Sequence, residues 1–397
     1  MVVAFIFFLL FFFLKKIKRY PLKLKILIFS FLAIYIVGMF LYTQFLISKG
    51  WKYGIPGADM KAHYDAAYYI SKGHKWKELY GLTGADRFII SIGTFSYYVY
   101  SLITAILLFS PTIINMQVTL YLLYFCQILI TFLCVINFSE FFEKKFKNVK
   151  KEYMFIACFS FISFAIQSYQ LMRDVYLMYF LSLFFVSLNL EDKLKNYILS
   201  AILICLCFLF RTYSIIVTIP MMIYYKVNKK IAIVASVAAA VILYFNLPIL
   251  ELFTKSTNIT WELQKADIKE VVKFILFPNI INQFKYLLHW NKYFGGETYE
   301  AGCNLPGVYF VSSLWNIIIY FFCLIGIFKK EKSKLLNIVF WGMVLVDIAL
   351  LYSINYQLID TRHRLMMFPS LMMISLYGVS KIKFLKKDEN YDGELYE

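Results

Sequence analysis

Apolar residues fall into long stretches that are separated by shorter polar segments. A helix that crosses a lipid bilayer needs about 20 mostly apolar residues. Some stretches satisfy this length clearly, and others are shorter or more polar. The clear stretches are 24–47, 114–138, 171–189, 197–225, 231–248, 306–328, 335–354 and 363–380, and the weaker ones are 2–14, 93–109 and 153–168. The pattern predicts an all-α fold, a polytopic integral membrane helix bundle of about 10–11 transmembrane helices.

Two long polar loops interrupt this pattern, so that residues 1–397 are predicted to form one transmembrane domain with two projecting loops. The first loop, 48–92, is the candidate catalytic segment, and the second covers 249–305. Between 263 and 290 the second loop has apolar residues at helical spacing, with acids and lysines between them. This spacing is typical of an amphipathic helix on a membrane surface. Both loops are predicted to contain amphipathic helices and to lie on the outer face.

Composition agrees with a chain immersed in lipid. Apolar residues make up 61% of the chain and charged residues 16%, whereas a soluble domain is about one-quarter charged. These values exclude a disordered chain, a fibrous chain and an ordinary soluble enzyme. The apolar run 2–13 precedes its lysines, the reverse of the order in a cleavable signal peptide, and is therefore interpreted as a retained membrane segment.

The net charge of +17 reflects basic loops, which gather on the cytoplasmic side of membrane proteins. Counting spans places four of them on one side, and the prediction is a plasma-membrane protein with a cytoplasmic C-terminus. One loop, 139–152, carries five lysines and three acids, yet the count puts it outside. No segment offers a soluble basic domain, so nucleic acid is not an expected partner. The four basic loops are 15–25, 226–230, 329–334 and 381–387.

The first polar loop contains the main candidate for acid–base chemistry. Asp59 follows a Gly/Pro-rich entry and precedes a run of helix-compatible residues, in which Asp59, His63 and Ala66/Ala67 share one face. A carboxylate there could take the proton from an acceptor hydroxyl as that hydroxyl attacks a sugar carbon. The alternative is that Asp59 only caps the helix. Asp65 points to another face and is a weaker candidate.

Two arginines and a histidine, Arg362, His363 and Arg364, stand at the outer mouth of the last predicted span. Arginine forks bind phosphate oxygens through paired hydrogen bonds. The three residues are candidates for holding the phosphate or diphosphate of a lipid-linked donor. The alternative is an interfacial anchor whose side chains reach toward the headgroups.

Arg173 and Asp174 lie at the mouth of another predicted span, and Arg211 lies inside the apolar run 197–225. A charge within a membrane segment is costly, so it points to function. Asp174 could pair with Arg211 to hold two helices together, or Arg211 could line a polar cavity. The sequence leaves these alternatives open.

The sequence contains no motif for metal binding or for nucleotide chemistry. The four histidines show no HxH, HxxH or HExxH spacing, so no cofactor is predicted and a divalent metal is not supported. The seven cysteines form neither a disulfide framework nor a CxxC pair. GxxxxGK[ST], GxGxxG and GxSxG are also absent from the sequence.

The chain resembles the GT-C superfamily of polyprenyl-phosphate-sugar-dependent membrane glycosyltransferases, especially bacterial members similar to protein mannosyltransferases. The residues that carry the resemblance are Asp59, Tyr64, Ala66, Ala67, Gly73 and Leu79-Tyr80-Gly81 in the first loop, Phe95 to Tyr100 after it, and Arg362-His363-Arg364, Phe368-Pro369 and Tyr377-Gly378 at the last span. The resemblance implies transfer of a sugar from a polyprenyl-linked donor to a glycan, lipid or protein acceptor on the outer face, in the assembly of cell-surface polysaccharide or glycoconjugate.

By that resemblance Asp59 is the base, and Arg362 and Arg364 lie near the donor phosphate. His63, Tyr64 and Asp65, neighbours of Asp59, are expected to contact substrate, as are the arginines at 173 and 211. Met172-Arg173-Asp174 followed by Arg211 also resembles membrane polymerases of O-antigen and exopolysaccharide repeat units. A third hypothesis is a transporter or flippase of lipid-linked sugars. Donor, acceptor and membrane lipids are the expected partners.

Overall fold

The structure of the chain is a computed structural model in which the described residues contain helices and no β-strand. The prediction of an all-α fold is therefore confirmed for this part of the chain. The described residues are 1–48, 50–55, 59–74, 92–109, 115–188, 193–211 and 368–382, with isolated positions at 214, 218–219, 221–223, 230, 234, 315, 317–319, 321–326 and 365. The second polar loop, 249–305, the predicted span 335–354 and, apart from position 234, the predicted span 231–248 lie outside them.

The helices follow the apolar stretches closely. They are α1 (Val2–Ile17), α2 (Leu22–Ser48), α3 (Asp59–Ser71), α4 (Ile92–Leu108), α5 (Met116–Lys145), α6 (Lys151–Phe159), α7 (Ile162–Ser168), α8 (Asp174–Ser187), α9 (Lys193–Phe210) and α10 (Phe368–Ser380). A 3-10 turn, Lys52–Gly54, joins α2 to the segment before α3. A shorter apolar helix, Ile317–Gly326, precedes α10.

Local signals explain where two of the long helices begin. Pro21 stands directly before α2, and its carbonyl accepts the backbone N–H groups of Leu24 and Lys25 at 3.1 Å. Asn115 caps α5, because its side-chain oxygen accepts the N–H of Gln117 at 2.8 Å. Both residues supply an oxygen that accepts N–H groups of the first helical turn, which have no acceptor within the helix. The two helices are long and apolar enough to cross a membrane.

Two predicted spans differ in the structure. The stretch 153–168 is not one helix, because α6 ends at Phe159 and α7 begins only after Phe161, whose backbone is extended. The stretch 197–225 is interrupted, because α9 ends at Phe210 and Arg211 is not helical. Apolar composition alone does not reveal such breaks, since the residues on both sides are equally suited to a buried helix.

α5 is the central helix, and α2 runs antiparallel to it along nearly its whole length. α8 runs parallel to α5, and α9 returns beside α8. The contacts between α2 and α5, from one end of the bundle to the other, pair Phe40 with Tyr121, Tyr35 with Phe132, and Tyr20, just before α2, with Glu140. Antiparallel neighbours with short connections are the arrangement expected of a helix bundle.

These contacts bring segments 15–25 and 139–152 to the same end of the bundle, which we call the basic end. Lys16 and Arg19 form ion pairs with Glu140, and Lys23 pairs with Glu152 at 3.5 Å. The span count that put 139–152 on the opposite side is therefore wrong. The miscounted segment is 93–109, which the count treated as a crossing. α2 ends and α5 begins at the same end of the bundle, so the chain between them makes no net crossing.

The outward faces of several helices are apolar. On α2, Leu22, Ile26, Val37 and Leu41 are each more than half exposed, although the opposite stripe of the same helix is buried in the core. Similar side chains are exposed on α1 and α9, including Phe7 on α1. A helix that is apolar on all faces is buried in a core or in a membrane.

α10 and the Ile317–Gly326 helix cross at very short range. A Cβ atom on Gly378 would lie 2.0 Å from the carbonyl oxygen of Phe322, and one on Gly326 would lie 2.5 Å from that of Ile374. Only glycine permits this approach of the two backbones. Small residues at helix crossings are typical of membrane proteins, in which close van der Waals contact drives association.

Candidate functional site

Polar side chains from five separate parts of the sequence are buried together inside the bundle, near the middle of α5. We call this group the polar cluster: His63, Tyr100, Gln127, Arg173, Asp174, Tyr176 and Arg211. They come from α3, α4, α5, the start of α8 and the residue after α9. Three of the predicted substrate-binding residues, His63, Arg173 and Arg211, therefore belong to one cluster.

The strongest contact in the polar cluster is the ion pair of Asp174 and Arg211. Arg211 donates from Nε to one carboxylate oxygen and from Nη2 to the other, both at 2.9 Å. The side chain of Asp174 is 2% exposed and that of Arg211 is 11% exposed. Of the two alternatives left by the sequence, the paired arrangement is the one present. Both oxygens of Asp174 are engaged, so its role is to fix the guanidinium.

The break after α9 is what makes this pair form. Arg211 follows Phe210, the last residue of α9, and its backbone N–H still donates to the carbonyl of Cys207 at 2.9 Å. Asp174 is the first residue of the antiparallel α8, so the two side chains face each other at the ends of neighbouring helices. The charge thus lies at a helix end, and not in the middle of a continuous span as the apolar run suggested.

His63 faces the interior. Its side chain is buried, and Nδ1 lies 3.3 Å from the hydroxyl of Ser101 on α4. Its ring also meets the ring of Tyr100 edge-on at 4.6 Å. The prediction that His63 shares a face with Ala66 and Ala67 agrees with their common burial. His63 thus packs α3 against α4.

Tyr100 links α3 to the Asp174–Arg211 pair. Its hydroxyl accepts a hydrogen bond from Nε2 of Gln127 at 3.3 Å, and its ring lies 5.7 Å from that of Tyr176. Tyr176 in turn stacks on Phe210 at 5.6 Å, directly before Arg211. A continuous series of rings therefore connects His63 with the ion pair.

Arg173 is also buried, immediately before α8. A neighbouring hydrogen bond anchors its segment, because Nε2 of Gln170 donates to the hydroxyl of Tyr42 on α2 at 2.6 Å. The charge of Arg211 is balanced by Asp174, and Arg173 adds a second buried guanidinium to this segment. Guanidinium groups bind phosphate oxygens through paired hydrogen bonds.

Tyr64 and Asp65 lie on the more exposed side of α3. Burial raises the pKa of Tyr64 to about 12, and the nearby Tyr53 and Asp65 act in the same direction. Asp65 accepts a hydrogen bond from Lys61 at 2.6 Å, and the side chain of Lys61 is 64% exposed. Such a surface pair contributes little to stability. Asp65 therefore faces away from the polar cluster, as its position on the helix predicts.

Asp59 is the first residue of α3, in agreement with the helix predicted there. Its side chain lies outside the described part of the structure, as do Arg362, His363 and Arg364. Their assignments to proton transfer and to phosphate binding stay predictions. By position, Asp59 precedes His63 by one helical turn on the same face of α3.

Tyr100, Gln127 and Tyr176 were not among the predicted site residues. Gln127 is a polar residue within the apolar run 114–138, which is a usable signal. Tyr100 and Tyr176 give none, because tyrosine is frequent throughout this chain. Among the described residues, no group of three or more His, Cys, Asp or Glu side chains is arranged to hold a metal ion.

Comparisons with family models, with curated proteins and with solved structures each find no match to this chain.

Proposed function

We propose that the chain is a polytopic membrane glycosyltransferase of the plasma membrane. It transfers a sugar from a polyprenyl-(di)phosphate-linked donor to a glycan, lipid or protein acceptor at the outer face. The end opposite the basic end faces outward, and the basic end faces the cytoplasm, where lysines and arginines accumulate.

Membrane placement is supported by the surface of the bundle. Apolar side chains on α1, α2 and α9 point away from the core, and a soluble protein rarely exposes so large a continuous apolar area. α2 and α5 have the length to cross a bilayer, α8 is a shorter apolar helix packed beside α5, and α9 is another packed beside α8.

The observation that carries the proposal is the burial of His63, Arg173 and the Asp174–Arg211 pair inside the bundle, near the middle of α5. The candidate base stands one turn before His63, so α3 brings it toward the polar cluster. Among the described acids nearby, Asp174 is engaged by Arg211 and Asp65 by Lys61. These pairings leave Asp59 as the carboxylate for proton transfer.

In the proposed reaction, the acceptor hydroxyl attacks the sugar carbon that is bonded to the donor phosphate. The new carbon–oxygen bond forms as the sugar–phosphate bond breaks, and Asp59 takes the hydroxyl proton. The polyprenyl (di)phosphate leaves with the bonding electron pair. Arg173, which directly precedes the Asp174 partner of Arg211, offsets the charge that develops on the leaving group.

Sugar transfer in membranes from cells expressing single variants tests this proposal, with a radiolabelled polyprenyl-linked sugar pool as donor. Asp59→Asn is expected to lower transfer about 10²- to 10⁴-fold. Asp65→Asn is the matched control, since it removes the same charge from the same helix, and it is expected to keep activity within a few-fold. Equal loss in both variants, at matched protein levels, would contradict a specific role for Asp59.

A repeat-unit polymerase is the second candidate, and the burial of Arg173 beside the Asp174–Arg211 pair favours it. It shares the donor class and the outward site. Its distinguishing outcome is an active Asp59→Asn variant together with an inactive Arg173→Gln variant. The product then discriminates further, because a polymerase makes long glycan chains and a transferase adds a single unit.

A further inference from the structure

The two segments that meet at the basic end carry more positive charge than their own acids can neutralise. Segments 15–25 and 139–152 meet there and together carry eleven basic and three acidic residues. The three acids are all engaged: Glu140 by Lys16 and Arg19, Glu143 by Lys151 at 2.6 Å, and Glu152 by Lys23. These ion pairs hold the two segments together.

Four lysines at this end are exposed and have no acidic partner among the described residues. They are Lys15 and Lys18 at the end of α1, and Lys144 and Lys147 at the end of α5. Lys144 follows Glu140 by one helical turn on the same face of α5, and Glu140 is the residue that binds Arg19. The ends of α1 and α5 are therefore tied together, and both carry exposed lysines.

Exposed apolar side chains adjoin these lysines. Leu14, Leu22 and Ile26 are 51%, 72% and 58% exposed, on α1 and the first turns of α2. A ligand that fits both features has an anionic head and hydrocarbon chains. A free phosphate would satisfy the lysines only, and a neutral lipid would satisfy the apolar side chains only.

We propose that the basic end is a binding site for an anionic phospholipid, whose phosphate contacts Lys15, Lys18, Lys144 and Lys147 and whose acyl chains lie along α1 and α2. Each lysine near an anionic lipid surface strengthens binding about fivefold. This inference rests on the proposed membrane placement but is independent of sugar transfer.

The test uses the purified full-length chain in mixed micelles with equal amounts of phosphatidylglycerol and phosphatidylcholine, and counts the lipids retained on the protein by native mass spectrometry. The site variant is Lys18→Gln/Lys144→Gln/Lys147→Gln. The matched control is Lys52→Gln/Lys61→Gln/Lys72→Gln, which removes three exposed lysines from segments outside the basic end. Both retain the charged pairs of the basic end.

The wild-type chain is expected to retain phosphatidylglycerol in preference to phosphatidylcholine. The ratio of the two retained lipids is expected to fall at least tenfold in the site variant and to stay unchanged in the control. Wild-type preference should also fall as salt rises from about 10 mM to about 1 M, since the Debye length shrinks from about 30 Å to about 3 Å. Equal loss in the control, retention in the site variant, or competition by inorganic phosphate at equal concentration would overturn the proposal. Sugar transfer does not affect this readout, so the two proposals fail separately.

Discussion

Arg211 donates two hydrogen bonds of 2.9 Å to the two carboxylate oxygens of Asp174, although the two residues lie 37 positions apart along the chain. The pair joins the start of α8 to the residue after α9, and both side chains are almost completely buried. Removing one partner leaves an uncompensated charge in a water-poor environment. Such a loss costs about 3–5 kcal/mol, whereas replacing both partners by apolar residues is often close to neutral.

The first prediction concerns this pair. Asp174→Leu and Arg211→Met, each alone, are expected to lower the unfolding midpoint of the purified protein strongly, and the double variant Asp174→Leu/Arg211→Met is expected to recover most of the loss. The double variant should nevertheless stay inactive in sugar transfer, because it has lost the fixed guanidinium. Full activity in the refolded double variant would limit the pair to a structural role.

A second prediction concerns Tyr100. Tyr100→Phe keeps the ring contacts with His63 and Tyr176 but removes the hydroxyl that accepts from Gln127. A buried amide left without that partner is expected to cost about 1–3 kcal/mol in the free energy of unfolding. Because the penalty belongs to the unsatisfied amide, Tyr100→Phe/Gln127→Leu should be more stable than Tyr100→Phe. Thermal melts of the three proteins measure both differences, and additive losses would exclude the hydrogen bond as the cause.

The third prediction is a pH dependence at the basic end. Burial raises the pKa of Tyr20 to about 12, in spite of the opposing effect of the adjacent Arg19, and its hydroxyl donates to Glu140 at 3.0 Å. Because the folded-state pKa lies above the unfolded value, the contribution of Tyr20 to stability is complete below about pH 10 and is lost between about pH 10 and 12.

Wild type is therefore expected to melt at a higher temperature than Tyr20→Phe at about pH 8, with the gap closing by about pH 12. A constant difference between wild type and Tyr20→Phe across the range would contradict the assignment.

A fourth prediction concerns sidedness. Lys18→Cys and Lys147→Cys are expected to react with a membrane-impermeant thiol reagent only from the cytoplasmic side, and Lys52→Cys and Lys72→Cys only from the outer side. The native cysteines provide the background, and the unsubstituted chain is the control. Opposite sidedness for positions 18 and 147 would contradict the shared basic end, because the ion pairs of Glu140 and Glu152 tie these segments together.

The sequence was sufficient to predict the individual helices where apolar runs are long, as in α2 and α5. It was not sufficient to orient the later helices. The segment 93–109 has the composition of a membrane span, but α2 and α5, the helices before and after it in the bundle, are antiparallel, so counting it as a crossing reverses every later orientation. Burial on the inside of the bundle and exposure to lipid select the same residue types. Composition therefore cannot separate a crossing helix from one that packs without a crossing.

The candidate site was predicted in part for a similar reason. Charged residues in apolar surroundings, such as Arg173 and Arg211, are visible because their burial is costly. The aromatic residues that connect them, Tyr100 and Tyr176, are not, since their role depends on which helices are neighbours. The pairing of Asp174 with Arg211 required the break after Phe210, for which the apolar run has no marker.

The separation of Asp174 from Arg211 also has a consequence for biosynthesis. A ribosome adds roughly 5–20 residues each second, so Asp174 is made about 2–7 seconds before the residue that neutralises it. During that interval the carboxylate of Asp174 lacks the guanidinium of Arg211. In the proposed membrane placement a charge without its partner is costly, so we expect α8 and α9 to enter the bilayer together, as a hairpin.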